Sequence, residues 1–173
     1  MSTAPITLTV VNDLSHAAFV AALGPLFEGS PWIAEATWPA RPFASIDQLH
    51  QALCATMYAA SSEQQITLIQ AHPDLAGKAA IAGKLTAEST REQSSAGLSR
   101  LTPEQFATFT RLNHAYRAKF GFPFLICARE HTAASILAQF ATRLEHPRAQ
   151  EIATALGEIA KIGRLRLLDA VSE

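Results

Sequence analysis

Cysteine is scarce: Cys54 and Cys127 are the two in the sequence, and no short motif pairs them. That argues against a disulfide scaffold and for two ordinary, semi-buried thiols in a reducing compartment. Long apolar runs are missing as well. None approaches the roughly 18–20 residues that span a bilayer, so no membrane partner is expected. The N-terminus has no basic segment followed by an apolar stretch, and no secretory signal is expected. The final Val171-Ser172-Glu173 is not a peroxisomal tripeptide, which leaves the cytoplasm as the expected location. An excess of charge of one sign is also absent. Fourteen Lys and Arg stand against 15 Asp and Glu, a net charge of −1. A nucleic-acid module usually carries a basic excess, so none is expected as a partner. There is no Gly-rich phosphate loop, nucleophile elbow or His-Glu-x-x-His. His50 and Cys54, four apart on an expected helix, can share a metal, but spacing suggests no third ligand. No metal is expected.

What is present is helical. A chain of 173 residues, 49% hydrophobic and 17% charged, is globular and the size of one domain. It can bury about 70% of its extended surface, enough for a core without metals or disulfides. Ser45 with Gln48 reads as a capping box, and Ile46, Leu49, Leu53 and Met57 follow on one face. Ser62 with Gln65 repeats the device, ahead of Ile66 and Ile69. This helix should stop near His72, because Pro73 disfavours helical geometry in the residue before it. Thr102, Pro103 and Gln105 give N-cap, N1 proline and N3 glutamine in order. Phe106, Phe109, Asn113, Tyr116 and Phe120 then form a stripe that Gly121 ends. Further helices are expected from Thr132 to Leu144 and from Pro147 onward. Shorter ones are expected from Ser30-Pro31 and from Asp13 or Ser15 to Leu23. Ile6 to Val11 alternates like a lone strand, and residues 72–90 and 121–130 read as loop-rich. The expected fold is all-α: a single-domain bundle over 1–173, of about seven to nine helices.

Four segments could carry chemistry. Ala71-His72-Pro73-Asp74-Leu75-Ala76-Gly77 places an imidazole at a helix end, fixes the next backbone angle and closes on glycine. Loops held by rigid helices collect functional groups, and histidine is the side chain best placed for proton transfer near neutral pH. Equally, such a histidine can simply complement the helix dipole. In Glu88 to Leu98, a helix would bring Ser89, Glu92 and Gln93 onto one polar face, or leave them solvated. Lys119 to Arg129 interrupts an apolar run with Gly and Pro, freeing backbone groups to grip a planar ligand, or packing three phenylalanines between helices. Arg164 and Arg166 are about 200° apart on a helix, so one of them faces inward, toward an anionic partner. Periodicity does not say which.

These blocks, with Asn113, Tyr116 and Lys119-Phe120-Gly121-Phe122-Pro123-Phe124, resemble in order and spacing the 2-oxo-4-hydroxy-4-carboxy-5-ureidoimidazoline (OHCU) decarboxylases of urate degradation. Phe27-Glu28 and Pro31-Trp32 resemble that family's N-terminal helices. The resemblance implies an all-helical enzyme that needs no cofactor and converts OHCU to (S)-allantoin and carbon dioxide. It implies His72 as the catalytic histidine; the chemistry of that reaction makes His72 the expected general acid/base, with Glu92 accepting from the ureido or ring amides and orienting His72. It implies substrate contacts from Pro73, from Ser89, Thr90, Arg91, Glu92 and Gln93, from the backbone of Phe124, Leu125, Ile126, Cys127 and Ala128, and from Arg166 rather than Arg164. Family members are often homodimers. Two other readings are open on the residues alone. A non-catalytic interaction or regulatory domain would leave Ser89, Glu92 and Gln93 solvated. A metal-dependent helical-bundle hydrolase would gather His50, Cys54 and other histidines.

Overall fold

The computed structural model describes residues 5–173, and the sequence reading of residues 1–4 lies outside them. The fold is all-α. Ten α-helices and four short 3₁₀ turns are joined by one two-stranded parallel pair among the described residues. The chain divides into two compact units: residues up to Ala71 together with Ala160–Glu173, and His72–Ile159.

The first unit begins with β1 (Ile6–Thr7), α1 (Leu8–Asp13), α2 (His16–Leu23) and α3 (Trp32–Thr37). It continues through α4 (Ile46–Ala59) and α5 (Ser62–Gln70). The later residues of α10 (Arg148–Ala170) and then β2 (Val171–Ser172) complete it. The strand expected over Ile6 to Val11 is only two residues long. Thr7 turns the chain into α1 by accepting the Val10 N–H on its hydroxyl, and Ile6 pairs with Val171. Ser15, not Asp13, caps α2. Ser45 caps α4, whose Ile46, Leu49, Leu53 and Met57 are all buried as their spacing requires. The capping box expected at Ser62 and Gln65 forms one residue earlier, at Ser61 and Gln64. Phe19, Leu23, Ile33 and Phe27 fill out this core. Each side chain of that kind, fully buried, stabilises by roughly 1.5–3 kcal/mol.

The second unit holds α6 (Lys78–Ile81), α7 (Ala87–Ser95), α8 (Pro103–Phe120), α9 (Ala133–Leu144) and the start of α10. The full capping box at Thr102 and Gln105, with Pro103 at N1, matches the sequence signal. Gly121 ends α8 in the left-handed region. Phe109, Tyr116, Phe120, Phe122, Phe124 and Phe140 form an aromatic core, with the Phe124 and Phe140 rings stacked at 3.8 Å. Phe106 is the exception in its stripe: it is partly exposed. The short pieces α1 and α6 carry the helix total past the expected seven to nine.

Candidate active site

The α5 helix stops at Gln70, and His72 follows its cap residue, 5% exposed. From there to α6 the chain has no helix or strand. A buried backbone must still satisfy its N–H and C=O groups, and side chains do so here. Gln93 of α7 works in both directions. Its Nε2 donates to the Asp74 carbonyl at 3.3 Å, and its Oε1 accepts the Ala76 N–H at 3.0 Å. Asn113 of α8 donates to the Leu75 carbonyl at 2.8 Å. Arg117, one turn further on, donates from Nε to the Asp74 carboxylate at 2.8 Å. Ala76 lies at φ +50°, a left-handed conformation that costs a non-glycine residue roughly 1–2 kcal/mol. Gly77 is required by space, since a Cβ there would sit 2.7 Å from the Asp74 Cβ.

Helix α7 sorts the expected contact residues by face. Ser89 and Gln93 are buried, Glu92 is half-buried, and Thr90 and Arg91 are exposed. Arg91 pairs loosely with Glu88 on the surface at 3.7 Å. Burial of Ser89 and Gln93 runs against the solvated face that a regulatory domain would present. Behind α7 lies a mostly apolar cavity of about 330 Å³, reached by Ala76, Thr90, Gln93 and Phe106. Its lining does not include His72 or Ser89, so it is not where the imidazole would act.

Residues 124–128 are all buried. They are held by two acids of α10 that lie seven apart. The Cys127 N–H donates to Glu158 at 2.7 Å. Glu151 acts one step removed: it pairs with Arg143, whose Nη1 donates to the Leu125 carbonyl at 2.5 Å. Glu151 is fully buried and also accepts from the Tyr116 hydroxyl and from His146 Nδ1. Burial alone would raise its carboxyl pKa. Hydrogen bonds from Arg143 and Tyr116, the guanidinium charge and His146 outweigh burial and hold the pKa below the usual range. Burial, reinforced by the hydrogen bond to Glu151, pushes the Tyr116 hydroxyl pKa up. The two loops meet at α7, which packs on the turn at 128–130; the carbonyl of its cap residue Ala96 accepts the Ala133 N–H at 3.0 Å.

Of the two late arginines, Arg166 faces inward, 4% exposed, and donates to Glu28 at 3.0 Å. Arg164 is half-buried and pairs with Asp47. Gly163, one turn before Arg166, lets the Phe27 ring pack close against α10, since a Cβ there would meet that ring at 3.2 Å. His50 bonds the Ala160 carbonyl at 2.9 Å and touches Cys54 Sγ at 3.3 Å. Among the described residues no three His, Cys, Asp or Glu side chains gather as metal ligands. Sequence reasoning did not foresee Arg117, Arg143, Glu151 or Glu158. The one available signal was two acids spaced seven apart on a helix whose other inward positions, Ala155, Leu156 and Ile159, are apolar.

Fold and loops together define an all-helical protein with two buried loops, each braced by side chains from neighbouring helices. Comparison with known proteins makes this specific. The family model described as OHCU decarboxylase matches residues 12–168. A 2-oxo-4-hydroxy-4-carboxy-5-ureidoimidazoline decarboxylase of Halalkalicoccus jeotgali is 44% identical over 94% of this chain and 92% of its own length. The solved structure of an (S)-allantoin synthase superposes with a TM-score of 0.77 at 29% identity, over 97% of this chain. This chain corresponds to 54% of that one, about half its length. An OHCU decarboxylase solved in the presence of (S)-allantoin superposes at 0.68, covering 89% of this chain and 96% of its own. At 21% identity it bears on the fold alone. The chain belongs to the OHCU decarboxylase family.

Proposed function

We propose that this protein decarboxylates OHCU to (S)-allantoin and carbon dioxide in urate degradation, with His72 as general acid/base. The observation that carries the reading is the family match, which runs through both compact units and includes every segment quoted for the resemblance. On this reading 1–173 works as one decarboxylase domain. The reaction also suits the residues. Loss of carbon dioxide leaves an electron pair that needs a sink, and many enzymes supply a cofactor for it. OHCU carries its own, a ring imine beside the carbon that loses its carboxylate. Electrons collapse into that imine, whose nitrogen takes up a proton, and give an enol. The enol must then lose its hydroxyl proton and take one on carbon, on a single face. A positioned imidazole serves both transfers, typically for about 10²–10⁴-fold in rate.

The family match and chemical type support the following roles. Glu92 accepts from the ureido or ring amides and orients His72. Ser89 and Gln93 hold the polar edge of the ring, beside Pro73, and the exposed Thr90 and Arg91 stand at its margin. The backbone of residues 124–128 grips the planar ring. Arg166 carries an anionic oxygen on its planar fork. A clamp on the departing carboxylate would stabilise the ground state and add nothing to kcat, so the charge it favours is one that persists into the transition state. The enzyme is cytoplasmic and homodimeric on the same reading, which sedimentation at assay concentration would check.

The test generates OHCU from urate in situ, then follows its loss and the circular dichroism of the allantoin formed. The wild type should give one enantiomer, and His72→Ala should lose about 10²-fold or more in rate. Near-normal turnover with retained stereospecificity in His72→Ala would remove the histidine from the mechanism. Racemic product from the intact enzyme would remove the decarboxylase reading itself.

A further inference from the structure

We infer that Asn113 and Arg117 of α8 are positioning residues for His72, acting through the backbone of residues 74–76. The inference rests on His72 being the general acid/base. Three consecutive residues after Pro73 are tied to side chains: Asp74 and Ala76 by Gln93, and Leu75 by Asn113. Arg117 adds a fourth tie, to the Asp74 carboxylate. Asn113 and Arg117 are four apart on α8 and therefore share a face.

Asn113 is an expensive residue for this place. It is 7% exposed, and its Oδ1 is buried with no hydrogen-bond partner. A leucine would fill similar space and leave no orphan acceptor. What the amide supplies, and leucine cannot, is the donor to the Leu75 carbonyl. That donor matters because the loop is not in a relaxed shape. Ala76 is left-handed at φ +50°, and such a conformation persists only where its surroundings fix it. Movement at Leu75 would also reach the imidazole. Pro73 locks its own φ and restricts His72 before it, so few soft angles separate Leu75 from His72. A proton-transfer group misplaced by about 1 Å costs about 10²-fold in rate.

Steady-state kinetics on OHCU generated in situ would test this with four variants, each checked for folding by circular dichroism at the assay temperature. Asn113→Leu should lose about 10-fold or more in kcat, with KM changed by less than about threefold. Asn113→Asp should be as poor near neutral pH, because its carboxylate faces the Leu75 carbonyl oxygen. As pH falls the buried carboxyl protonates and donates to that oxygen, so its kcat relative to wild type at the same pH should recover about severalfold. A residue that only fills space would give no such recovery. Arg117→Met, at the exposed end, should lower kcat about threefold at unchanged KM. Folded Asn113→Leu with kcat within about twofold of wild type would overturn the inference. So would Asn113→Asp with no acid recovery. Should no variant at 113 fold, an unchanged kcat in Arg117→Met overturns it alone. His72→Ala, run alongside, separates the two readings. If it is inactive while Asn113→Leu is normal, only the positioning role falls; if it stays active, both fall.

Discussion

Removing the Arg143 guanidinium should be one of the most damaging single changes away from the substrate. Its side chain is 4% exposed, and its partner Glu151 is 0% exposed. Nε and Nη2 reach the carboxylate at 3.0 and 2.9 Å, and Nη1 holds the Leu125 carbonyl. Arg143→Met keeps much of the volume, but removes the guanidinium that lies over the Phe124 ring at 4.3 Å and leaves a buried carboxylate without its cation. Breaking one side of a buried pair costs about 3–5 kcal/mol. For a chain of this size each kcal/mol moves Tm by about 2–4 °C, so a fall of about 6–20 °C is expected. Glu151→Gln should be similarly harmful, since it strands the guanidinium. The double variant Arg143→Met/Glu151→Gln removes both charges, and should be about 2 kcal/mol or more less destabilised than the sum of the singles. Urea and thermal unfolding followed at 222 nm measure all four proteins. The pH dependence has a definite sign. The Glu151 carboxyl is held below its unfolded value, so the network's contribution is fully present above about pH 4.3 and is lost as pH falls through the depressed folded value. The stability gap between wild type and Arg143→Met should therefore narrow in acid. Strict additivity of the singles, or a gap unchanged between pH 7 and pH 3.5, would refute a buried charge pair as its source.

Gly77→Ala should destabilise by about 1–3 kcal/mol, because the new Cβ meets Asp74 and cannot be absorbed by a flexible side-chain tip. Gly157→Ala is the control: it meets nothing within 4 Å in α10 and should stabilise by about 0.5–1 kcal/mol, so equal effects at the two sites would contradict the steric reading. Both cysteines are buried, and burial pushes the Cys54 thiol up to about 11. A thiol reagent at pH 8 should therefore label neither quickly in the native protein and both in urea; rapid stoichiometric native labelling would contradict this.

Sequence served well where the physics is local. Thr102, Pro103 and Gln105 announce α8 because capping is settled within one turn. Ser61 and Ser62 show where local signals tie: each has a glutamine three residues on. The structure uses Gln64 for the box, which frees Gln65 to donate to the Met57 and Tyr58 carbonyls at the end of α4. Ile6 to Val11 alternates, but Thr7 as a cap outweighs the pattern. The candidate site was legible only as residue types: His72, Ser89 and Gln93 are buried where the sequence offered them as candidates, and Arg166, singled out by the resemblance and not by periodicity, is the inward arginine. Its supports were not legible. Asn113 reaches Leu75 across 38 residues and Arg117 reaches Asp74 across 43. Glu151 looks like any acid in a helix's first turn, where it suits the dipole. Its seven-residue spacing from Glu158 is the one sign of an inward role.

The pairing of Ile6 with Val171 bears on the order of assembly. The first unit is made of two pieces of chain, with all of the second threaded between them. During synthesis from the N-terminus, residues 72–159 can be finished while the strand that completes the first unit is still unmade. Synthesis runs at about 5–20 residues per second, so the opening helices wait for seconds with part of their apolar surface uncovered. Vectorial synthesis thus favours the unit that carries His72 maturing first, and the segment made before it maturing last.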